Sequence, residues 1–255
     1  MPVAIVTGSD SGIGRATAVR LAADGFDVGV TWHADEPGAN ETAEEVRTFG
    51  RRAELRRLDL ADLPAAADVI DELAEALGGV DVLVNCSGTS RQGGMLELSY
   101  DDWRHTLSVD LDGPFLCAQR AGRRMVEQGR GGRIVNITSV HEHSPIVDGG
   151  AYTAAKHGLG GLTKQLALEL GRHGIAVNSV APGMVATPMT GLEDEDPASH
   201  RKPEFPIPRP GDAREIAACI SWLCSPDARW TTGASILVDG GYMLATPSAR
   251  PDEAD

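Results

Sequence analysis

The chain has 255 residues, 42% of them hydrophobic and only 4% aromatic, and 37 acidic residues outweigh 23 basic ones for a net charge of -14. That size suits one large α/β domain or two small ones, with a core built from Ala, Val, Leu and Ile. The acidic balance argues against binding nucleic acid or an anionic membrane, no apolar run is long enough to span a bilayer, and Met1-Pro2 leads straight into a strand without room for a signal peptide, so a cytoplasmic protein is expected.

Val3-Ala4-Ile5-Val6 is a short apolar run that suits a buried parallel strand, predicted over 3–7. It runs into Thr7-Gly8-Ser9-Asp10-Ser11-Gly12-Ile13-Gly14, which opens a helix predicted over 13–24. Strand, glycine-rich turn and helix together form a dinucleotide-binding context. Gly8 allows the tight turn, Gly12 permits close approach to the pyrophosphate, and Gly14 lets the helix pack on the strand. Free N–H groups around Ser11 and Ile13, with the helix dipole, hold the phosphates.

The second strand, 27–32, ends at Trp32-His33 without an immediate acid, and Asp35 and Glu36 come slightly late. An acid at this point would bind the adenosine ribose and exclude a 2′-phosphate. His33 is a candidate phosphate partner and Thr31 a neutral one, while Ser11 stands at a loop position that is often basic in NADP users. The loop favours NADP(H) over NAD(H).

Further strands are predicted over 53–58, 80–84, 133–138, 175–180 and 235–238, with helices over 40–50, 62–77, 101–128, 151–171 and 212–224. Seven strands linked by crossovers give an α/β fold, a doubly wound parallel sheet, read as one domain over 1–255. Two stretches break the alternation. Residues 187–211 are rich in Pro, Asp and Glu and read as a substrate lid. Residues 245–255 read as a flexible tail. Cys86, Cys117, Cys219 and Cys224 lack a Cys-x-x-Cys spacing and are expected to be reduced thiols.

Tyr152 and Lys156 stand four residues apart, on one face of the predicted helix. A phenol of pKa ~10 is a poor acid or base at neutral pH, and an ammonium beside it favours the phenolate. The pair reads as a general acid/base for a carbonyl or an alcohol. Ser139, at the end of the strand 133–138, could hydrogen-bond the substrate oxygen. His141-Glu142-His143 follows. With no third ligand at convincing spacing, and an extended segment pointing Glu142 away from both imidazoles, metal is disfavoured. His141 and His143 are instead expected to line a polar substrate pocket.

Thr7-Gly8-x-x-x-Gly12-x-Gly14 with Ser139 and Tyr152-x-x-x-Lys156 resembles the short-chain dehydrogenase/reductases, in their single-domain branch. The likeness spans nearly the whole chain, through Leu58-Asp59-Leu60, Val84-Asn85-Cys86-Ser87-Gly88, Ile137-Thr138-Ser139, Pro182-Gly183 with Thr187, and Val238-Asp239-Gly240-Gly241. Its texture is nearest to 3-oxoacyl-thioester reductases and sugar or polyol dehydrogenases. The resemblance implies a Rossmann-type fold with helices on both faces of the sheet. It also implies hydride transfer between a nicotinamide cofactor and a carbonyl or secondary alcohol. Tyr152 would transfer the proton, Lys156 would lower its pKa and hold the nicotinamide ribose, and Ser139 would orient the carbonyl.

By the same resemblance Asp59, with Leu60 beside it, would meet the adenine edge, although a strand-end cap is an equal reading of Asp59. Asn85 and Gly88 would lie against the cofactor. Pro182, Gly183 and Val185 would lead to Thr187 at the nicotinamide carboxamide. Asp110 falls where the family has an Asn that holds a relay water in a kinked helix. Helices 101–128 and 151–171 with Ser235 to Leu244 would build a homotetramer. A 3-oxoacyl-[acyl-carrier-protein] reductase is the alternative enzyme, with Arg123, Arg124, Arg130 and Arg133 as a docking patch for an acidic carrier. A cofactor-sensing protein without turnover is a second alternative, opposed by the retention of Tyr152 and Lys156.

Overall fold

The computed structural model describes residues 1–89, 93–192 and 196–244. The expected flexible tail, 245–255, lies outside them. One parallel sheet runs β3 (Ala53–Arg57), β2 (Asp27–Trp32), β1 (Val3–Val6), β4 (Val82–Asn85), β5 (Gly132–Ile137), β6 (Ile175–Pro182), β9 (Ser235–Val238). Strand order reverses between β1 and β4, and in such sheets ligands bind beyond the carboxyl ends at that reversal.

Alternate residues of each strand face opposite layers. Ala4, Val6, Val28, Val30, Val82 and Val84 pack in one core with α1 (Gly12–Ala23), α2 (Glu36–Thr48) and α7 (Ala213–Cys224). Ile5, Leu83, Ile134 and Val177 pack in the other with α3 (Asp68–Leu77), α5 (Gly113–Gln128) and Ala167 of α6 (Gly150–Leu170). Strands apolar on both faces are what a sheet covered on both sides requires.

The expected strands 27–32 and 235–238 are found as drawn, and the others shift by one to two residues. Three helices depart further from expectation. The helix expected over 40–50 begins at Glu36, because Asp35 caps it by accepting from Gly38 N at 3.0 Å. The helix expected over 62–77 begins at Asp68, after a 3₁₀ turn over Ala65–Ala67. The stretch 101–128 is not one helix. It is α4 (Tyr100–Leu107), a π-helical turn over Ser108–Asp112, and α5. A π turn admits one extra residue and often marks a functional site; this one sets Asp110 inward, fully buried.

The stretch 187–211 leaves β7 (Val185–Ala186) and returns through β8 (Gly211–Asp212), which pair in parallel and tie its two ends together. Within it Phe205 is buried against Tyr242, ring centroids 5.1 Å apart.

Candidate active site

A cleft of about 410 Å³ opens at the carboxyl ends of the strands, where the order reverses. One wall is the glycine-rich turn. Gly8 and Gly12 have φ of 60° and 52°, which favour glycine. A Cβ on Gly14 would fall on the Gly8 carbonyl, so helix and turn meet only because that side chain is missing. The turn is pinned from behind. Gly8 N donates to Thr31 Oγ1 at 3.0 Å, Ser9 Oγ donates to Val6 O at 2.8 Å and accepts from Thr31 N at 3.0 Å. Thr31 is therefore buried and engaged, and is not the neutral phosphate partner expected from sequence.

Ser11 precedes α1 without capping it through its side chain, and Ser11, Gly12, Ile13 and Gly14 all line the cleft. An uncapped helix start behind a glycine turn fits an anionic phosphate. Asp59, Leu60 and His33 line the cleft together. His33 Nε2 stands 3.3 Å from Asp59 Oδ2. The fold adds a group that sequence order concealed: Arg57, from the end of β3, donates Nε to the His33 carbonyl at 3.0 Å and Nη2 to Asp59 at 3.2 Å. Burial pushes the Asp59 carboxyl up, but the Ala61 N–H, His33 and Arg57 outweigh it and hold it below the ordinary value. Asp59 accepts from Ala61 N at 3.1 Å, the strand-end cap expected as one reading, and it also stands on the cleft wall.

The other end gathers the chemistry. Ser139 is the N-cap of a 3₁₀ turn over Val140–Glu142, its Oγ accepting from His141 N at 3.1 Å. Tyr152 and Lys156 face the cleft from α6, with Lys156 Nζ 5.4 Å from the phenol ring centroid. Lys156 Nζ donates to Ile137 O at 3.3 Å and pairs with Asp110 Oδ1 at 3.0 Å. Thr89 N lies 3.3 Å from each Asp110 oxygen. Burial pushes the Asp110 carboxyl above its ordinary value, with Lys156 pulling against it. Burial would pull Lys156 down, but Asp110, then Tyr152, outweigh it and hold the ammonium above its ordinary value. Gly88, Pro182, Gly183, Val185 and Thr187 complete the walls.

Some expected residues stand elsewhere. Asn85 does not line the cleft. It is buried and donates Nδ2 to Pro114 O at 3.2 Å and Asn136 Oδ1 at 2.9 Å, while Asn136 donates to Thr163 of α6 at 2.9 Å. Asn85 is thereby linked to α6 through this amide chain. The segment 140–142 is a 3₁₀ turn, not extended, so Glu142 turns inward. His141 stands edge-on to Tyr152 with ring centroids 6.3 Å apart, and its Nδ1 meets Ser144 O at 3.0 Å. His143 turns away to Ser235 Oγ at 2.9 Å, and neither imidazole is among the residues lining the cleft. His105, on α4 just before the π turn, does line it, although no spacing in the sequence marked it. The four cysteines are free; Cys86 lies in the cleft wall, and burial pushes its thiol up to about 12.

A family model described as enoyl-(acyl carrier protein) reductase matches residues 8–243. An uncharacterized oxidoreductase of Escherichia coli strain K12, YohF, is 55% identical over 98% of this chain and 99% of its own. The crystal structure of acetoin dehydrogenase from Enterobacter cloacae is 56% identical, with a TM-score of 0.93 over 98% of each chain. A short-chain dehydrogenase from Burkholderia cenocepacia, solved with NADP, is 37% identical with a TM-score of 0.88 over 95% of this chain and 98% of its own. A carveol dehydrogenase from Mycobacterium avium, solved with NAD, is 30% identical with the same TM-score over 95% and 98%.

Proposed function

The chain belongs to the short-chain dehydrogenase/reductase family, and on that premise we propose that it interconverts a small hydroxy-ketone of the acetoin class with its neighbouring oxidation state, using NADP(H) in preference to NAD(H). Its activity is that of an NAD(P)-dependent oxidoreductase acting between C=O and CH–OH. The observation that carries the reading is Tyr152, Lys156 and Ser139 on one cleft with an uncapped helix start and two positive-φ glycines.

A bound nicotinamide supplies hydride acceptance or donation; the chain handles everything else. Ser139 Oγ binds the substrate oxygen, where charge develops. Tyr152 Oη delivers a proton to that oxygen during reduction and removes it during oxidation. Lys156, kept cationic by Asp110, sustains the positive field under the phenol. Asp110 replaces the usual amide and serves as Lys156's direct counter-ion. The lid reading of 187–211 is supported where Thr187, Pro188, Met189 and Thr190 stand on the cleft wall; residues 193–195 lie outside the described ones.

The substrate class is supported by the acetoin dehydrogenase at 56% identity. Of the four arginines in the patch that the acyl-carrier alternative would use, Arg124 pairs with Asp71 and Glu75 and Arg130 with Asp81, so half of the patch is already engaged by acids. A panel of acetoin, diacetyl, polyols, sugars and acyl thioesters, assayed with each cofactor, tests the reading. Highest kcat/KM on an acyl thioester would overturn the hydroxy-ketone assignment.

Support for NADP(H) comes from what occupies the adenosine end. Asp35 is committed to capping α2, and Glu36 begins that helix exposed to solvent. His33 and Arg57 remain as donors for a 2′-phosphate. A hydrogen bond to a charged group is worth about 1.5–3 kcal/mol, so kcat/KM should favour NADPH over NADH by about tenfold or more, and Arg57→Ala should erase most of that margin. A preference for NADH in the unaltered protein would contradict the assignment.

We also read the protein as a cytoplasmic homotetramer. Leu168 and Trp230 are 80% and 97% exposed, β9 is an edge strand carrying half-exposed Leu237, and no described helix is long and apolar enough to cross a membrane. Light scattering at micromolar concentration should return the mass of four chains; a monomer mass would refute the assembly.

A further inference from the structure

Glu142 is a buried carboxylate that no step above uses, 7% exposed and at the centre of His141-Glu142-His143. Three hydroxyls converge on its Oε2. Thr138 Oγ1 donates from the end of β5 at 2.7 Å, Ser235 Oγ from β9 at 3.0 Å, and Ser179 Oγ from β6 at 3.1 Å. His143 Nε2 lies 2.9 Å from Ser235 Oγ. On its other side Glu142 rests on Gly160, where a Cβ would overlap Oε1. Gly160 is one turn beyond Lys156 on α6.

We propose that Glu142 is a positioning residue, whose carboxylate, gripped by Thr138, Ser179 and Ser235, fixes the turn bearing Ser139 against the helix bearing Tyr152 and Lys156. Within itself the turn closes through Glu142 N to Ser139 O at 2.8 Å, His143 N to Val140 O at 3.0 Å and His141 N to Ser139 Oγ at 3.1 Å, all local bonds. Hydroxyl-to-carboxylate bonds are about twice as strong as neutral ones, and they anchor the turn to three strands at once. Packing alone does not call for a carboxylate, since apolar side chains of similar volume often replace buried charged groups without loss. Misplacing a reacting group by about 1 Å can cost on the order of 10² in rate.

The inference rests on the reading of Ser139 under Proposed function, and a double-mutant cycle tests it. Glu142→Ala should lower kcat about 10- to 100-fold while the dissociation constant for NADPH stays within about twofold. Glu142→Gln, which keeps an acceptor oxygen, should recover most of the rate. In a Ser139→Ala background, Glu142→Ala should cost almost nothing more, because the group it positions is gone. Wild-type kcat in Glu142→Ala, or a full additive loss in the double variant, overturns the inference. Should Glu142→Ala fail to fold, Ser179→Ala and Ser235→Ala each withdraw one hydroxyl and enter the same cycle, with a smaller loss expected and the same non-additivity required. Wild type and Tyr152→Phe are assayed alongside. An inactive wild type or an active Tyr152→Phe overturns the functional reading and this inference together; an additive cycle beside an inactive Tyr152→Phe overturns this inference alone.

Discussion

Tyr152→Phe is expected to lower turnover by at least about 10², the lower range for general acid–base catalysis, which is about 2.7 kcal/mol of barrier. The phenol, proposed above as the proton-transferring group, faces the cleft with the Lys156 ammonium 5.4 Å from its ring centroid. Phenylalanine keeps the ring and its edge contact with His141, so fold and cofactor pocket should persist. NADPH affinity, measured by fluorescence titration, should change little while kcat collapses. A purified Tyr152→Phe protein with undiminished kcat would remove the phenol from the mechanism.

Asp110→Leu should have the second-largest effect. Asp110 and Lys156 are 0% and 4% exposed, and their contact is 3.0 Å. Removing one partner of a buried pair strands the other charge, at a cost of about 3–5 kcal/mol. The denaturant midpoint should fall accordingly, and most of the turnover should go with the lost counter-ion. Asp110→Asn keeps the shape and an acceptor, and should stay active with a changed pH profile. A lysine raised in the folded protein contributes stability that is complete below its ordinary value of 10.5 and is lost as pH climbs through the raised one. Asparagine removes the main anion holding Lys156 up, so the alkaline limb of kcat against pH should move to lower pH. If Asp110→Leu matches the unaltered protein in rate and midpoint, Asp110 has no part in the site.

Most of the sheet was legible because strands such as Val3 to Val6 and Val82 to Val84 are short apolar runs between helical patterns. Ser139, Tyr152 and Lys156 were legible because their spacing is fixed within one strand end and one helix. What escaped depended on contacts between distant segments. Asp35 read only as an acid standing slightly late for the ribose; that its side chain caps α2 depends on the helix start at Glu36. The π turn at Ser108–Asp112 carries no signal in local propensity, and only the resemblance, which put a kinked helix at Asp110, pointed to it. Asn85 read as a cofactor contact because the link through Asn136 to Thr163 spans three elements. Arg57 stands 24 residues from His33 in sequence and became its neighbour only through the pairing of β2 with β3. His141-Glu142-His143 lost its expected geometry when the segment coiled into a 3₁₀ turn, which put the carboxylate inside and left both imidazoles off the cleft wall.

The most direct test of the central claim is isotopic. The purified protein is incubated with diacetyl and NADPH deuterated at the transferable nicotinamide position, each face in turn, and the product is examined by mass spectrometry. One face should deliver a single deuterium to carbon in acetoin, and Tyr152→Phe should form almost none of that product. Acetoin without deuterium from either face, or labelled acetoin formed equally fast by Tyr152→Phe, would contradict the account.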